Sequence, residues 1–139
     1  MTLTELEEKV PALKEYTKTM PPEIRSRCTV RTHAAGSIIH QKDMELNYFG
    51  IVAAGENRVI NEFENGNVYM IEGNKAIDFI GEVTILAGMP RTSVTIEAVT
   101  DNVVAGYTRL ILNHKHKLQK RADLKRSALL IAKKVIIAL

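Results

Sequence analysis

The most constraining feature of this 139-residue sequence is a run of short β-rich segments between residues 29 and 107. Each segment is rich in Val, Ile, Thr, Tyr or Phe, and they follow one another at a spacing of about ten residues with glycines between them. Many short strands at this spacing are typical of an antiparallel sandwich or a jelly-roll barrel. The segments are TVRTH, SIIH, NYFGIVAAG, NRVINEF, NVYMIEG, KAIDFI, TSVTIEAVT and NVVAGYT.

A turn signal separates the fourth segment from the fifth. Asn65-Gly66 lies between NRVINEF and NVYMIEG. This dipeptide predicts a β-hairpin with a type I′ turn, because both central residues of that turn need positive φ. Residues 29–107 are therefore expected to form a roll of antiparallel strands.

Helical periodicity precedes the β region in residues 1–28. Thr4 and Glu7 have the spacing of a capping box. Pro11 is expected to divide or kink the helix, and Pro21-Pro22 to end it. We therefore expect a short N-terminal helix whose apolar stripe packs on the β region. Its apolar positions recur at helical intervals and are Leu3, Leu6, Val10 and Leu13.

Residues 108–139 return to a helical pattern and carry much of the positive charge. From Arg109 to Lys134 there are nine Lys and Arg against one acid, Asp123, a net charge of +8 that leaves −5 on the rest of the chain. Such a segment is typical of a surface that binds nucleic acid or of a helix surface exposed to solvent. A seam at spacings of four and three predicts a dimerisation helix, through Leu124, Ala128, Ile131, Val135 and Ala138. The apolar arc is wide enough for a second face to pack on the barrel, through Leu129, Leu130, Ile136 and Ile137.

Composition excludes several classes of protein. The single cysteine, Cys28, can form neither an internal disulfide nor a cysteine-ligated zinc or iron–sulfur site from this chain alone, and it is expected to be a small buried residue. No apolar run approaches the ~18 residues that span a bilayer. The acidic start TLTELEEKV does not resemble a signal peptide. We therefore expect a soluble cytoplasmic protein.

Histidine and nucleophile patterns argue against an enzyme. A metal-dependent jelly roll needs a His-x-His pair on a strand, but His114 and His116 fall in the helical tail, where their side chains diverge. His33 and His40 stand alone and are expected at the surface or at strand ends. No hydroxyl or thiol has an evident general base beside it. The chain is expected to hold no metal or cofactor and to act as a sensor.

One segment breaks the strand pattern. Residues 79–94 read FIGEVTILAGMPRTSV, in which Glu82–Ala87 has helical spacing and Gly88 is a natural stop. A short helix opened by a glycine exposes backbone N–H groups to an anion. Nine residues after Glu82 comes Arg91, whose guanidinium can pair with two phosphate oxygens. A carboxylate so close to a phosphate needs another partner, and a sugar hydroxyl is a suitable one.

This segment resembles the phosphate-binding cassette of cyclic nucleotide-binding domains, whose pattern runs F-G-E-x-x-L and then P-R-[ST/A]. Two segments ahead of the cassette are similar to the family's hairpins: HAAGSIIHQKDMELNYFGIVAAGENRV and FENGNVYMIEG. The C-terminal segment, residues 108–139, is similar to the C-helix of Crp/Fnr-type bacterial regulators. The resemblance covers nearly the whole chain. It implies a single domain that is mainly β with flanking α: an antiparallel double-stranded β-helix, or jelly-roll barrel, with an N-terminal helix and a long C-terminal dimerisation helix.

The resemblance also implies roles for residues of the cassette. Glu82 is similar to the glutamate that binds the ribose 2′-hydroxyl, and Arg91 to the arginine that binds the phosphate. The other implied ligand-binding residues are Gly81 and Val83 through their backbone, and Thr92 and Ser93 through hydroxyl and amide groups.

The implied function is that of an effector domain of a Crp/Fnr-type transcription regulator, acting as a homodimer. cAMP is favoured over cGMP as the ligand, but Thr92 leaves cGMP open, because a threonine after the arginine reaches a guanine edge in some relatives. DNA is a partner only through a helix-turn-helix domain, which this sequence does not contain. The sequence departs from the family at Ile77, where glycine is frequent, and at Thr84, where alanine is frequent.

Two alternatives stay open. In the first, the chain is a dimerisation or regulatory module whose degenerate pocket holds another small ligand or none. In the second, it is the regulatory domain of a kinase or channel.

Overall fold

The computed structural model describes residues 1–20, 22–46, 48–81, 84 and 89–108. The first part is helical: α1 spans Leu3–Lys9, a 3₁₀ turn Pro11–Leu13, α2 Lys14–Thr17 and α3 Pro22–Arg25. Pro11 begins the 3₁₀ turn, where its missing N–H has no cost, so it divides the helix as expected. Pro22 begins α3, whereas it was expected to end a helix. A proline at the first helical position is favourable for the same reason.

The capping box of α1 lies two residues earlier than the sequence pattern predicts. The Glu5 N–H donates to Thr2 Oγ1 (3.2 Å), and the Thr2 N–H donates to Glu5 Oε2 (2.7 Å). The prediction of Thr4 and Glu7 was wrong because α1 begins at Leu3, which puts Thr4 inside the first turn. Glu7 is instead buried.

All eight β segments contain a strand. The strands form two four-stranded sheets, with the orders β1-β8-β3-β6 and β2-β7-β4-β5, and all neighbours are antiparallel. The mainly β, antiparallel fold with few helices is therefore confirmed. Each sheet has two edge strands, so neither closes on itself within the described ranges. The bounds are β1 Thr29–His33, β2 Ile38–His40, β3 Tyr48–Ala54, β4 Glu56–Glu62, β5 Val68–Lys75, β6 Asp78–Ile80, β7 Thr95–Ala98 and β8 Asn102–Thr108.

The apolar core lies between the sheets and continues under the helices. Val52 of β3 and Val104 of β8 pack with residues of the second sheet, whereas Ile51 and Ala105 pack with the helices. Both faces of the first sheet are therefore covered, which explains why β3 carries apolar residues in succession. The cluster between the sheets is Ile39, Tyr48, Val52, Ile80, Ile96, Ala98 and Val104. The cluster under the helices is Leu3, Leu6, Leu13, Ile51, Ala53 and Ala105.

The hairpin between β4 and β5 is confirmed, but its turn is not of type I′. The Phe63 N–H donates to Asn67 O (2.9 Å) and the Gly66 N–H donates to Phe63 O (2.9 Å), so the loop comprises residues 64–66. Gly66 has a φ of +82°, whereas Asn65 does not have positive φ. A three-residue loop that ends in a left-handed glycine needs one positive φ instead of two.

His40 is buried, so of its two expected placements, at the surface or at a strand end, only the strand end holds. His33 and His40 end β1 and β2 as expected, but both rings stack or tilt against Tyr48, and His40 is 7% exposed. His33 Nε2 lies 2.8 Å from the Tyr48 hydroxyl. Burial lowers the pKa of His33, and it lowers the pKa of His40 to about 4, with His33 and Arg31 adding to the shift.

Three remaining expectations concern the cysteine, membrane-spanning helices and the C-terminal segment. Cys28 is half-buried beside the core under the helices, immediately before β1. None of the described helices is long and apolar enough to cross a membrane. The expected C-terminal helix, with its seam from Leu124 to Ala138 and the pair His114 and His116, lies outside the described residues.

Candidate functional site

Gly81 follows β6 directly and is held in a conformation that suits glycine alone. It is buried and has a φ of +80°. A Cβ at this position would lie 3.1 Å from Leu46 Cδ1 and 3.2 Å from Phe49 Cβ. Positive φ and close packing therefore both exclude a side chain where the chain leaves the sheet.

The second half of the cassette pairs with the loop that precedes β3. Glu45 and Arg91 form an antiparallel bridge. Backbone hydrogen bonds extend this pairing over residues 90–92 and 43–46, so that the cassette returns along a defined path. These bonds run from the Leu46 N–H to Pro90 O (3.2 Å), from the Thr92 N–H to Met44 O (3.1 Å) and from the Asp43 N–H to Thr92 O (2.9 Å).

Leu46 connects the two ends of the cassette. Its side chain packs beside Gly81, and its N–H donates to the Pro90 carbonyl. Leu46 is 1% exposed, so it is a fixed point. The predicted site residues Gly81 and Arg91 are thus anchored on the same short stretch of chain, residues 43–50. No motif in the sequence assigns a site role to this stretch, because that role depends on pairing with residues more than forty positions away.

Arg91 has an exposed side chain that contacts the neighbouring loop. Its Nη1 donates to Asp43 O (3.1 Å), and Asp43 presents that carbonyl from a backbone with a φ of 65°. The ion pairs between described residues do not include Arg91. A carbonyl orients a guanidinium without neutralising it, so Arg91 can still pair with an anion through its other N–H groups.

Thr92 and Ser93 differ in their surroundings. Thr92 is buried, its hydroxyl donates to Gln41 O (2.8 Å), and its N–H donates to Met44 O (3.1 Å). Both donors of Thr92 therefore stabilise the loop in this conformation. Ser93 is exposed beside it. Of the two residues predicted to supply hydroxyl contacts, only Ser93 is exposed.

Glu82 and Val83 lie outside the described residues, as does most of the expected helix Glu82–Ala87 with its stop at Gly88. Thr84, which is described, is helical and buried. The Met89 N–H donates to Thr84 O (3.0 Å), which brings together the chain on either side of residues 85–88.

Asp78 brings negative charge close to the cassette. It lies opposite Val52 in the pairing of β6 with β3 and accepts a hydrogen bond from the Phe79 N–H (2.8 Å). Burial raises the pKa of Asp78, the Phe79 hydrogen bond opposes this shift, and Glu72 of β5 adds to it. An anionic group of a ligand is therefore favoured beside Arg91 and disfavoured beside Asp78.

Within the part of the chain that the structure describes, no group of three His, Cys, Asp or Glu side chains lies close enough together to hold a metal ion.

A family match covers the region in which these contacts are made. Residues 30–112 match the model of the cyclic nucleotide-binding domain. The chain belongs to the cyclic nucleotide-binding domain family. The match runs from β1 through β8 and includes both the cassette and the loop at 41–46 that pairs with it.

Curated relatives that contain this domain are much longer than the chain. An uncharacterized ABC transporter ATP-binding protein of Mycobacterium tuberculosis is 30% identical over 105 residues, which are 75% of this chain and 29% of that protein. The chain thus spans less than a third of the curated relatives that it matches.

Solved structures share the fold of this cyclic nucleotide-binding domain at low sequence identity. The catabolite activator protein of Thermus thermophilus is 20% identical with a TM-score of 0.66, over 88% of this chain and 59% of that one. A regulatory subunit of a cAMP-independent protein kinase A from Trypanosoma cruzi, bound to guanosine, is 18% identical with a TM-score of 0.67, over 89% of this chain and 46% of that one. The fold is therefore shared by a catabolite activator protein and a kinase regulatory subunit.

Proposed function

We propose that this domain senses a cyclic nucleotide, which it binds between Gly81 and Arg91. The observation that carries the proposal is the anchoring of both ends of the cassette on residues 43–50, with Leu46 packed beside Gly81 and bonded to Pro90. This anchoring ties the Gly81 backbone and the exposed Arg91 guanidinium to the same short stretch of chain, and recognition of a sugar phosphate needs such groups held in place.

Each proposed ligand contact has a chemical reason. Arg91 binds the cyclic phosphate with two N–H groups, while its contact with Asp43 O orients the guanidinium. Glu82 accepts a hydrogen bond from the ribose 2′-hydroxyl, which keeps its charge away from the phosphate. The backbone of Gly81 and Val83 and the hydroxyl of Ser93 complete the site. Thr92 must release Gln41 O before its hydroxyl can donate to the ligand.

The domain acts as a sensor and not as an enzyme. Ligand binding shifts the population toward one arrangement of residues 109–139 and of a homodimer, and an attached output domain responds to it. By resemblance the ligand is cAMP rather than cGMP, and the output is that of a Crp/Fnr-type transcription regulator, whose DNA-binding domain would follow this sequence. We expect the domain to act in the cytoplasm.

A second candidate is a site for a nucleoside without a phosphate. It is favoured by Thr92, which uses both of its donors within the protein. The similar kinase regulatory subunit from Trypanosoma cruzi is bound to guanosine. In this candidate the cassette still holds the sugar, but Arg91 contributes little.

Calorimetric titration of the full chain with cAMP, cGMP and guanosine tests the proposal. We expect binding of a cyclic nucleotide that Arg91→Ala weakens by about ten- to a hundredfold, because a charge-assisted contact is lost. Arg58→Ala is the matched control, since Arg58 is an exposed arginine that pairs with Glu97 away from the cassette, and it should bind as the wild type does. Equal affinity for guanosine and the cyclic nucleotides, unchanged by Arg91→Ala, would instead support the nucleoside site.

A comparison with 2′-deoxy-cAMP tests Glu82. The deoxy ligand should bind more weakly to the wild type by about 1.5–3 kcal/mol, the range for a hydrogen bond to a charged group. In Glu82→Gln the difference between the two ligands should shrink, as in a double-mutant cycle. If Glu82 only caps its helix, the substitution should weaken both ligands equally.

A further inference from the structure

Lys42 ties the loop at 41–46 to the last residues of β4. Its Nζ donates to Asn61 Oδ1 (2.9 Å) and to Glu62 O (2.5 Å). The ammonium also lies 5.5 Å from the centroid of the Phe63 ring, within the range of a cation–π contact. A long side chain that ends in three N–H donors is suited to this position, because it can reach two acceptors on a neighbouring strand at once.

The main chain around Lys42 is held on a second strand. The Lys42 N–H donates to Thr95 Oγ1 (3.0 Å), and Gln41 Nε2 donates to the same hydroxyl (3.3 Å). Thr95 is fully buried in β7, where it lies opposite Ile60 of β4. The backbone and the side chain of Lys42 therefore attach the loop to two neighbouring strands of one sheet.

Lys42 lies between the two carbonyls that hold side chains of the cassette. Gln41 O accepts from the Thr92 hydroxyl (2.8 Å), and Asp43 O accepts from Arg91 Nη1 (3.1 Å). Asp43 has a φ of 65°, a left-handed conformation that is unfavourable for a residue with a side chain and persists only where its surroundings hold it. The contacts of Lys42, directly before Asp43, oppose relaxation of this backbone, which would turn the Asp43 carbonyl away from Arg91.

Loss of the Lys42 ammonium should affect the loop more than the fold. Both of its acceptors are neutral oxygens that water can reach, since Asn61 is half-buried and Glu62 is exposed. The ion pairs between described residues do not include Lys42, so its substitution leaves none of those carboxylates without a cation.

We propose that Lys42 is a positioning residue of the candidate site, which holds residues 41–46 in the conformation that orients Arg91. Lys42 acts on the ligand through Asp43 O and the Arg91 guanidinium, without a contact of its own. The inference rests on the proposed function, because it concerns the same arginine and the same phosphate. It adds to the site a residue that lies outside the cassette.

Calorimetric titration of the full chain with cAMP tests the effect on the ligand. Lys42→Met keeps a long side chain but removes the ammonium, and it should weaken binding by about three- to tenfold, because the guanidinium is no longer held toward the phosphate. Lys42→Arg should recover part of the loss, since it keeps the charge and the N–H donors. Lys75→Met is the matched control: Lys75 is an exposed lysine that pairs with Glu56 at the opposite end of β4, and its substitution should leave the affinity unchanged.

A double-mutant cycle separates positioning from a general structural role. In the Arg91→Ala background, Lys42→Met should change the affinity for cAMP by less than about twofold, because the group that Lys42 positions is absent. An equal loss in the wild-type and Arg91→Ala backgrounds would overturn the proposal. Failure of the proposed function would give a different result, an affinity for cAMP that Arg91→Ala alone leaves unchanged.

Hydrogen–deuterium exchange without ligand tests the loop itself. Lys42→Met should increase deuterium uptake several-fold in peptides that contain residues 43–46 and 90–92, whose main chains are paired, whereas Lys75→Met should not. Both variants should keep the wild-type unfolding temperature within a few degrees, because the groups that lose a partner are accessible to water. Unchanged uptake in Lys42→Met would overturn the proposal, whether or not the site binds a cyclic nucleotide.

Discussion

At the scale of the residue, two separate reasons can require a glycine: a positive φ, and close packing that leaves no room for a Cβ. Gly66 and Gly81 both have positive φ, but a Cβ would meet nothing within 4 Å at Gly66, whereas at Gly81 it would meet Leu46 and Phe49. Gly73 has neither constraint. The three positions therefore form a graded series in which only Gly81 bears on the candidate site.

Alanine substitutions in this series should follow the same order. Gly66→Ala should lower the free energy of unfolding by about 1 kcal/mol, the cost of the left-handed conformation. Gly81→Ala should lower it by about 2–3 kcal/mol, since overpacking adds to that cost. Gly73→Ala should change it by less than about 0.5 kcal/mol. Urea unfolding measures all three, and equal losses at Gly66 and Gly81 would contradict the close packing around Gly81.

His40 should make stability depend on pH. Its folded pKa of about 4 lies below the ordinary value of 6.5, mainly because the ring is buried. Between these values the unfolded chain binds a proton that the folded chain does not. The contribution of neutral, buried His40 to the free energy of unfolding is therefore fully present above pH 6.5. It is lost as the pH falls toward 4, which lowers the free energy of unfolding by up to about 3 kcal/mol. Unfolding at several pH values should show a shallower dependence in His40→Gln, and an identical dependence would exclude His40 as its source.

At the scale of the element, one ion pair joins the N-terminal helices. Glu7 of α1 is buried and accepts two hydrogen bonds from Arg25 of α3, at 2.9 and 2.7 Å, and one from the Thr17 hydroxyl of α2. Arg25 lowers the pKa of Glu7 in spite of the burial. Short helices of four to seven residues gain little stability on their own, so this contact fixes their arrangement.

Removal of the Arg25 guanidinium from this contact should destabilise the protein. Arg25→Met leaves the Glu7 carboxylate buried without a cation, with only the Thr17 hydroxyl bonded to it, and should lower the free energy of unfolding by about 3 kcal/mol. Glu7→Gln in the Arg25→Met background should recover part of the loss, because the buried charge is removed. Lys18→Met breaks the exposed pair with Glu15 and should cost less than about 1 kcal/mol. A similar loss in Arg25→Met and Lys18→Met, measured by thermal unfolding, would refute this role of Glu7.

The elements also show what a sequence pattern can predict. All eight strands follow from local composition and turn residues, because β-branched and aromatic residues between glycines favour extended chain. The capping box and the hairpin turn were placed less accurately. Thr2 with Glu5 and Thr4 with Glu7 have the same spacing, and Asn65-Gly66 fits either turn. The choice in each case depends on the flanking chain, which the local pattern does not include.

At the scale of the molecule, the candidate site depends on pairing that no local pattern predicts. The resemblance to the cassette implies Gly81 and Arg91 as site residues, but Leu46, which contacts the chain at both ends of the cassette, is an ordinary leucine in the sequence. Asp43 likewise orients Arg91 through its carbonyl, a group that every residue has. The sequence therefore predicts which side chains could bind a ligand, whereas the fold supplies the backbone that holds them.

The whole chain is expected to associate through the seam in its C-terminal segment. The seam through Leu124, Ile131 and Val135 should make the chain a homodimer, and Ile131→Asp should dissociate it, because each charge would be buried against its symmetry mate. Ile136→Asp is the matched control: Ile136 lies outside the seam, and its substitution should leave the dimer intact. Light scattering at several concentrations measures the mass. A wild-type chain that stays monomeric at high concentration would contradict the dimer seam and leave it to pack only on its own barrel.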